Sequence, residues 1–260
     1  MLKKLNADLV LRIAAGLFFL IPGLFKVMSP GDFQEFLSFF PSYFESFSHL
    51  LFWGVAVLQI IGGAALIVGK QFRMFALPLA MVSIVALLTT VPQDSNSALQ
   101  YVATLTHIMT FGIFMGLFMI GPKSPDWTEK ILAKDADRGW DLVRISLAFF
   151  WIGMGSAIWF APQLLAATNN IMPFQFGFWG NAFVGLVALK VGFFLLLKFF
   201  TGHVAKVSML GFVIMIAFLA LPDMANSKIG LINLLFMVLG LGASMAIDMR
   251  NCPCWKKILG

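Results

Sequence analysis

The chain has 260 residues, of which 60% are hydrophobic and only 12% charged, and its mean hydropathy is +0.91. Soluble domains carry about twice that share of charge. A water-soluble globule is therefore excluded, and with it most soluble enzymes and nucleic-acid binders, in spite of a net charge of +6 and a pI near 9.5. The composition is that of an all-α polytopic membrane protein.

A helix that crosses the hydrocarbon needs about 20 mostly apolar residues. In chain order the stretches of that kind are roughly 9–28, 50–69, 72–91, 100–120, 141–160, 178–200, 203–221 and 229–249. These runs are continuous rather than alternating, which argues against a barrel. The first follows Lys3 and Lys4 and is too long for the apolar part of a signal peptide, so it is expected as a retained helix.

After the first span, Phe33, Phe36, Phe40, Phe44 and Phe47 recur at helical spacing, an amphipathic pattern interrupted by Pro41. It suits either the outer membrane interface or a loop packed over the mouth of the bundle. Gly121 to Trp140 is polar and mixed in charge, so 122–140 is expected to be a linker on the cytoplasmic surface.

Eight spans place both termini on one side. That side collects fifteen of the eighteen basic residues, whereas Lys26 and Lys228 fall on the other and Lys190 within a span. The positive-inside rule makes the termini cytoplasmic, and the expected location is a bacterial inner membrane. The high pI is then a matter of topology facing an anionic leaflet, with no nucleic-acid partner implied.

The chain repeats itself at an offset near 132 residues. Arg12, Phe18, Gly23, Pro30 and Pro41 match Arg144, Phe150, Gly155, Pro162 and Pro173. Further on, Pro92, Asn96, Ser97 and Gly112 match Pro222, Asn226, Ser227 and Gly242. Four spans per half give both halves one orientation. The expected organisation is two parallel-repeat four-helix bundles, 1–121 and 141–249, with a Cys-Pro-Cys tail at 250–260.

Few polar groups are left inside the spans, and such groups mark pockets or pathways more often than they do in soluble proteins. Lys190 lies in the sixth span, as a substrate, quinone or anion contact, as a group paired within the bundle, or as one that snorkels toward an interface. Gln59 lies at a comparable place in the first half, where a helix–helix hydrogen bond is the ordinary role. His107, beside Thr104, Thr106 and Thr110, is either a hydrogen-bonded histidine in a polar groove or a quinone or proton contact. No second histidine stands at a depth that would complete a bis-histidine haem.

Two acid–base pairs stand at the starts of their half-repeats. Asp8 precedes Arg12 by four residues and Asp141 precedes Arg144 by three, spacings that share a helix face. Anchoring is the expected role, with a headgroup or anion contact as the alternative. The turns at 92–97 and 222–227 hold Asp94 and Asp223 beside Asn-Ser caps.

Cys252 and Cys254 are the only cysteines. On the cytoplasmic side a structural disulfide is not expected. Two thiols there can hold a soft metal such as copper, cycle redox equivalents beside Lys256 and Lys257, or be incidental.

The run Leu11-Arg12-Ile13-Ala14-Ala15-Gly16-Leu17-Phe18-Phe19, with Gly23, Lys26, Pro30 and Phe33 after it, resembles the opening of the DoxX family of four-span membrane proteins. The second span, Gln59 to Gly69 followed by Arg73, resembles that family's second motif. The resemblance covers residues 5 to 120 and extends to 139–249 only through the repeat. The chain departs from the pattern at Gln59, where the family commonly has Glu, and at Lys190-Val191-Gly192, where the second half lacks Gly-Gly.

The resemblance implies a redox-associated membrane subunit that meets quinone or thiol and sulfur chemistry. Its partners would be the lipid bilayer, quinone, and a membrane or soluble redox or metal protein. The alternatives are a metal or small-solute transport or handling component, and an accessory subunit with no chemistry of its own. No nucleotide loop, closed metal cage or catalytic triad is present in the sequence.

Overall fold

The structure is a computed structural model that describes residues 6–29, 45–69, 71–90, 98–121, 135–160, 177–221 and 228–252. These residues are helical apart from short caps and turns. The elements are α1 (Ala7–Met28), α2 (Glu45–Val68), α3 (Phe72–Thr90), α4 (Ala98–Ile120), α5 (Ala136–Phe160), α6 (Gly177–Leu196), α7 (Thr201–Met215, continued by a π-helical turn Ile216–Ala220) and α8 (Lys228–Asn251).

Five of them are long and apolar enough to cross a membrane, over Ala7–Met28, His49–Val68, Ala136–Trp159, Trp179–Leu196 and Leu231–Asn251. Shorter apolar stretches lie in α3, α4 and α7. Large apolar side chains such as Trp179, Phe183, Phe193 and Val57 point outward, where only lipid suits them. The protein is thus an all-α integral membrane protein. The Phe33–Phe47 pattern and the turns with Asp94 and Asp223 lie outside the residues whose side chains are described.

Local signals account for the helix ends. Asn6 caps α1 by accepting from the Leu9 amide at 2.8 Å, and Asp8 suits the positive end of the helix dipole. Asp135 does the same for α5, accepting from the Arg138 amide at 3.0 Å. That cap starts the helix at Ala136, inside the stretch expected as linker. α2 ends at Gly69, whose φ of 82° is the left-handed value that glycine adopts freely. α6 stops at Leu196, short of the span expected to run to 200, because Lys198 (φ 59°) and Phe200 (φ 47°) turn the chain left-handed.

Helix neighbours follow one scheme in both halves. α1 packs on α2 and α5 on α6; α3 packs on α4 and α7 on α8; α4 packs on α5 and α8 on α1. The contacts of α2 with α3 and of α6 with α7 are slighter. The two bundles expected from the sequence therefore share a single core. Leu11 and Phe18 of α1, Leu79 of α3, Phe114 of α4, Phe150 of α5, Phe212 of α7 and Leu239 of α8 belong to one buried cluster.

Small residues set the closest approaches. A Cβ on Gly63 would lie 2.7 Å from the Gly16 carbonyl, and one on Gly192 would lie 2.8 Å from the Ala148 carbonyl. Gly112 lies against Ser146, and Gly242 against Ala14. With no polar–apolar contrast against lipid, such backbone approach is what holds helices together.

Candidate functional site

The polar groups of α1 and α2 meet at a place where Gly23 lets the helices come together. Lys26, expected on the outer side at the end of the first span, stands in the last turn of α1 and donates to Gln59 Oε1 at 2.6 Å. Gln59 is buried and Lys190 is exposed. The packing register explains why they are not equivalents. Gln59 lies one turn before Gly63 and Ala188 one turn before Gly192, and both are buried. Lys190 stands where the first half has Ile61, which is also exposed. The two residues expected to line matching depths are thus on different faces.

Replacing Gln59 by leucine leaves the Lys26 ammonium without this acceptor and is expected to cost about 1–3 kcal/mol. Glutamate can accept from the same ammonium, and Gln59→Glu is expected to hold stability within about 1 kcal/mol of the parent. Unfolding in mixed micelles compares the two; equal losses would mean that the amide is not a needed acceptor.

His107 stands edge-to-face on Phe236 of α8 at 5.0 Å. Phe236 in turn meets Phe18 at 4.9 Å, and Phe19 meets Phe114 at 4.7 Å. The imidazole therefore borders an aromatic cluster between α1, α4 and α8. Of the threonines expected beside it in a polar groove, Thr110 donates to the Thr106 carbonyl of its own helix at 2.7 Å.

Arg12 and Arg144 perform related tasks at the hairpin turns. Arg12 packs its guanidinium against Gly69, where any Cβ would collide with it, and lies 5.3 Å from the centre of the Phe72 ring. Arg144 Nη1 donates to the carbonyls of Leu195 and, at 2.8 Å, of Leu196. These carbonyls end α6, and that of Leu195 also accepts from the Lys198 amide at 3.3 Å. Asp141 accepts from Arg144 Nη2 at 3.3 Å and from Lys198 Nζ at 2.7 Å. Asp8, by contrast, makes no ion pair with Arg12 among the described residues, although its spacing allows one.

Around Arg144 the helices leave a cavity of about 400 Å³. Its walls are Asp137, Trp140 and Asp141 of α5, Lys198 of the α6–α7 turn, Thr201 of α7, and Ile247, Arg250 and Asn251 of α8. Arg250 Nη2 donates to Asp137 Oδ1 at 2.5 Å and its guanidinium lies 5.2 Å from the Trp140 ring centre.

Cys252 follows directly on this wall, its amide donating to the Asp248 carbonyl at 2.8 Å. Cys252 is disulfide-bonded. Cys254, the only other cysteine, lies outside the described residues. A structural disulfide is not expected here from the sequence, whereas redox cycling of the two thiols passes through one. Among the described residues no three His, Cys, Asp or Glu side chains gather as a metal site.

Several polar residues were not legible as site candidates. Arg73 is fully buried, with its guanidinium 4.8 Å from the Phe118 ring centre. Asp248 is fully buried near the end of α8. Trp151 Nε1 donates to Ser208 Oγ at 2.7 Å, and Ser208 shares a 2.8 Å hydrogen bond with Ser244. This link joins α5, α7 and α8 through residues that carry no charge to mark them. Lys198 and Arg250 counted only toward orientation, and the left-handed turn that aims Lys198 has no glycine to announce it.

The DoxX family model matches residues 7–92. The match spans α1 to α3 and ends before α4, where the sequence resemblance had been carried to residue 120. No curated protein and no solved structure matches the chain. Over residues 7–92, this integral membrane protein is DoxX-like.

Proposed function

We propose that this DoxX-like protein is a redox-associated membrane subunit in which Cys252 and Cys254 exchange electrons with a quinone of the bilayer. The observation that carries the reading is the disulfide at Cys252, at the end of a helix whose preceding residues line a charged cavity. The distribution of basic residues supports a cytoplasmic position for this tail, and we take the membrane to be a bacterial inner membrane. Disulfides in a reducing compartment are mostly transient and catalytic rather than structural. Lys256 and Lys257 follow in sequence and favour the thiolate.

The chemistry balances. Two thiols joining as a disulfide release two electrons and two protons, which a quinone takes up to become a quinol. A soft-metal site on the same tail needs both sulfurs as thiolates and so belongs to the reduced chain alone.

The same reading takes the chain as a tandem duplication. Support comes from the matching helix neighbours, from Arg12 and Arg144 at corresponding turns, and from the left-handed residues Gly69 and Gln71 in one turn and Lys198 and Phe200 in the other.

The test uses the full chain in vesicles that hold a fully substituted quinone, reduced beforehand with a dithiol that is then removed. Two maleimide-reactive thiols are expected to disappear for each quinol formed, and Cys252→Ser is expected to form none. Thiols that persist beside the quinone for hours, or quinol formed equally by the variant, would overturn the proposal.

A further inference from the structure

We propose that the cavity between α5, the α6–α7 turn and the end of α8 is a binding site for a phosphate group, carried by an anionic lipid headgroup or free in solution. The inference is independent of the redox reading, because it uses neither cysteine.

The charge of the walls favours an anion. Arg144, Lys198 and Arg250 face the cavity with two carboxylates, and both carboxylates are engaged by these cations. Asp137 is bound by Arg250; Asp141 is bound by Arg144 and Lys198. Among the lining side chains one positive charge is left over; Asp248, buried on α8 beside Gly202, is not one of them. Lys198 carries three donors and Arg250 five, more than Asp141 and Asp137 can occupy. The Arg144 side chain is more than nine-tenths buried, and its Nε has no hydrogen-bond partner among the described residues. A buried donor of this kind is costly unless something accepts from it. Phosphate offers several acceptor oxygens in the geometry that a guanidinium fork matches. Thr201 and Asn251 add neutral polar groups to the wall.

The first half shows what this place looks like when it is filled. Its arginine, Arg12, is covered by the Phe72 ring. In the second half the first residue of α7 is Thr201 instead of an aromatic. Lys198 occupies the turn position that Gly69 holds in the first half, each left-handed. Gly112 and Gly242 face Ser146 and Ala14 alike, and counting on from them sets Arg250 against Ile120. The apolar seal of one half is therefore replaced in the other by an open space with three cations. The exposed Leu197, Phe199 and Phe200 beside Lys198 place apolar surface next to the site, as a lipid chain attached to a bound headgroup would require.

The purified full-length protein, stripped of lipid in mild detergent, is titrated with inorganic phosphate, with phosphatidylglycerol and with diacylglycerol, and binding is read by native mass spectrometry and calorimetry. Saturable binding of phosphatidylglycerol without phosphate identifies a headgroup; binding of inorganic phosphate identifies the free ion. Arg250→Gln and Lys198→Asn are each expected to weaken binding about tenfold or more, the asparagine being tolerated at a left-handed position. Thr201→Phe, which copies the residue of the first half, is expected to close the cavity and abolish binding. The proposal is overturned if neither phosphate compound binds saturably, if diacylglycerol binds as well as phosphatidylglycerol, or if Arg250→Gln and Lys198→Asn both bind like the parent.

Discussion

Replacing Arg144 by leucine is expected to destabilise the protein by about 1–3 kcal/mol, the cost of taking a charged donor from buried acceptors, since Asp141 is part-exposed and keeps Lys198. The guanidinium is buried and serves three acceptors, the Leu195 and Leu196 carbonyls and Asp141. Without it the Leu196 carbonyl loses its charged donor, while the Leu195 carbonyl keeps the Lys198 amide at 3.3 Å. Leucine fills part of the volume but accepts and donates nothing. Arg144→Lys keeps the charge but lacks the fork that reaches carbonyls and carboxylate together, so an intermediate loss is expected. Arg12→Leu should lose less, because Arg12 has an aromatic face and a glycine where Arg144 has carbonyls and an acid. Unfolding by denaturing detergent from mild micelles orders the three variants. A loss below about 1 kcal/mol for Arg144→Leu would show that water or lipid replaces the guanidinium and that the turn does not depend on it.

Gly63→Leu is expected to cost about 3 kcal/mol or more, at the upper end of the range for overpacking. The obstacle is backbone rather than side chain. A Cβ on Gly63 would lie 2.7 Å from both the Gly16 carbonyl oxygen and the Leu20 nitrogen, and neither can move unless α1 and α2 separate. Gly54 on the same helix supplies the control, since nothing stands within 4 Å of a Cβ there. Gly54→Leu adds apolar surface to an exposed position and should leave stability unchanged or slightly improved. Comparing the two separates close packing from any general effect of losing a helical glycine. Equal stability of both variants would mean that α1 and α2 tolerate a wider spacing than the structure has.

Much of the architecture was legible because a membrane imposes a strong compositional signal. Long apolar runs with few charges became helices whose limits lie within a few residues of the expected ones, except where a local cap or a left-handed residue intervened. Asp135 moved the start of α5 forward into the expected linker, and Lys198 ended α6 early. The first case could be read from Asp135 as a capping residue. The second could not, because left-handed Lys and Phe are rare and carry no sequence mark.

The site residues divide differently. Arg12 and Arg144 announced themselves by recurring beside an acid, and both end at hairpin turns. Lys190 and Gln59 looked equivalent by offset alone, yet the register of Gly63 on Gly16 and of Gly192 on Ala148 turns them to different faces. Lys26 counted by charge sorting toward the outer side, and its hydrogen bond to Gln59 across α1 and α2 carried no mark in the sequence.

By itself the sequence determined that this is an all-helical membrane protein, with a DoxX-like opening and a short list of polar groups inside it. Those properties follow from composition and spacing, which are local. Only the tertiary structure decided that the halves share one core and that Asp137, Lys198 and Arg250 gather around Arg144. In lipid an apolar helix face gains little by choosing one neighbour over another. The choice falls to a few glycines that permit close approach and a few charges that must find partners, and both act across residues far apart in the chain.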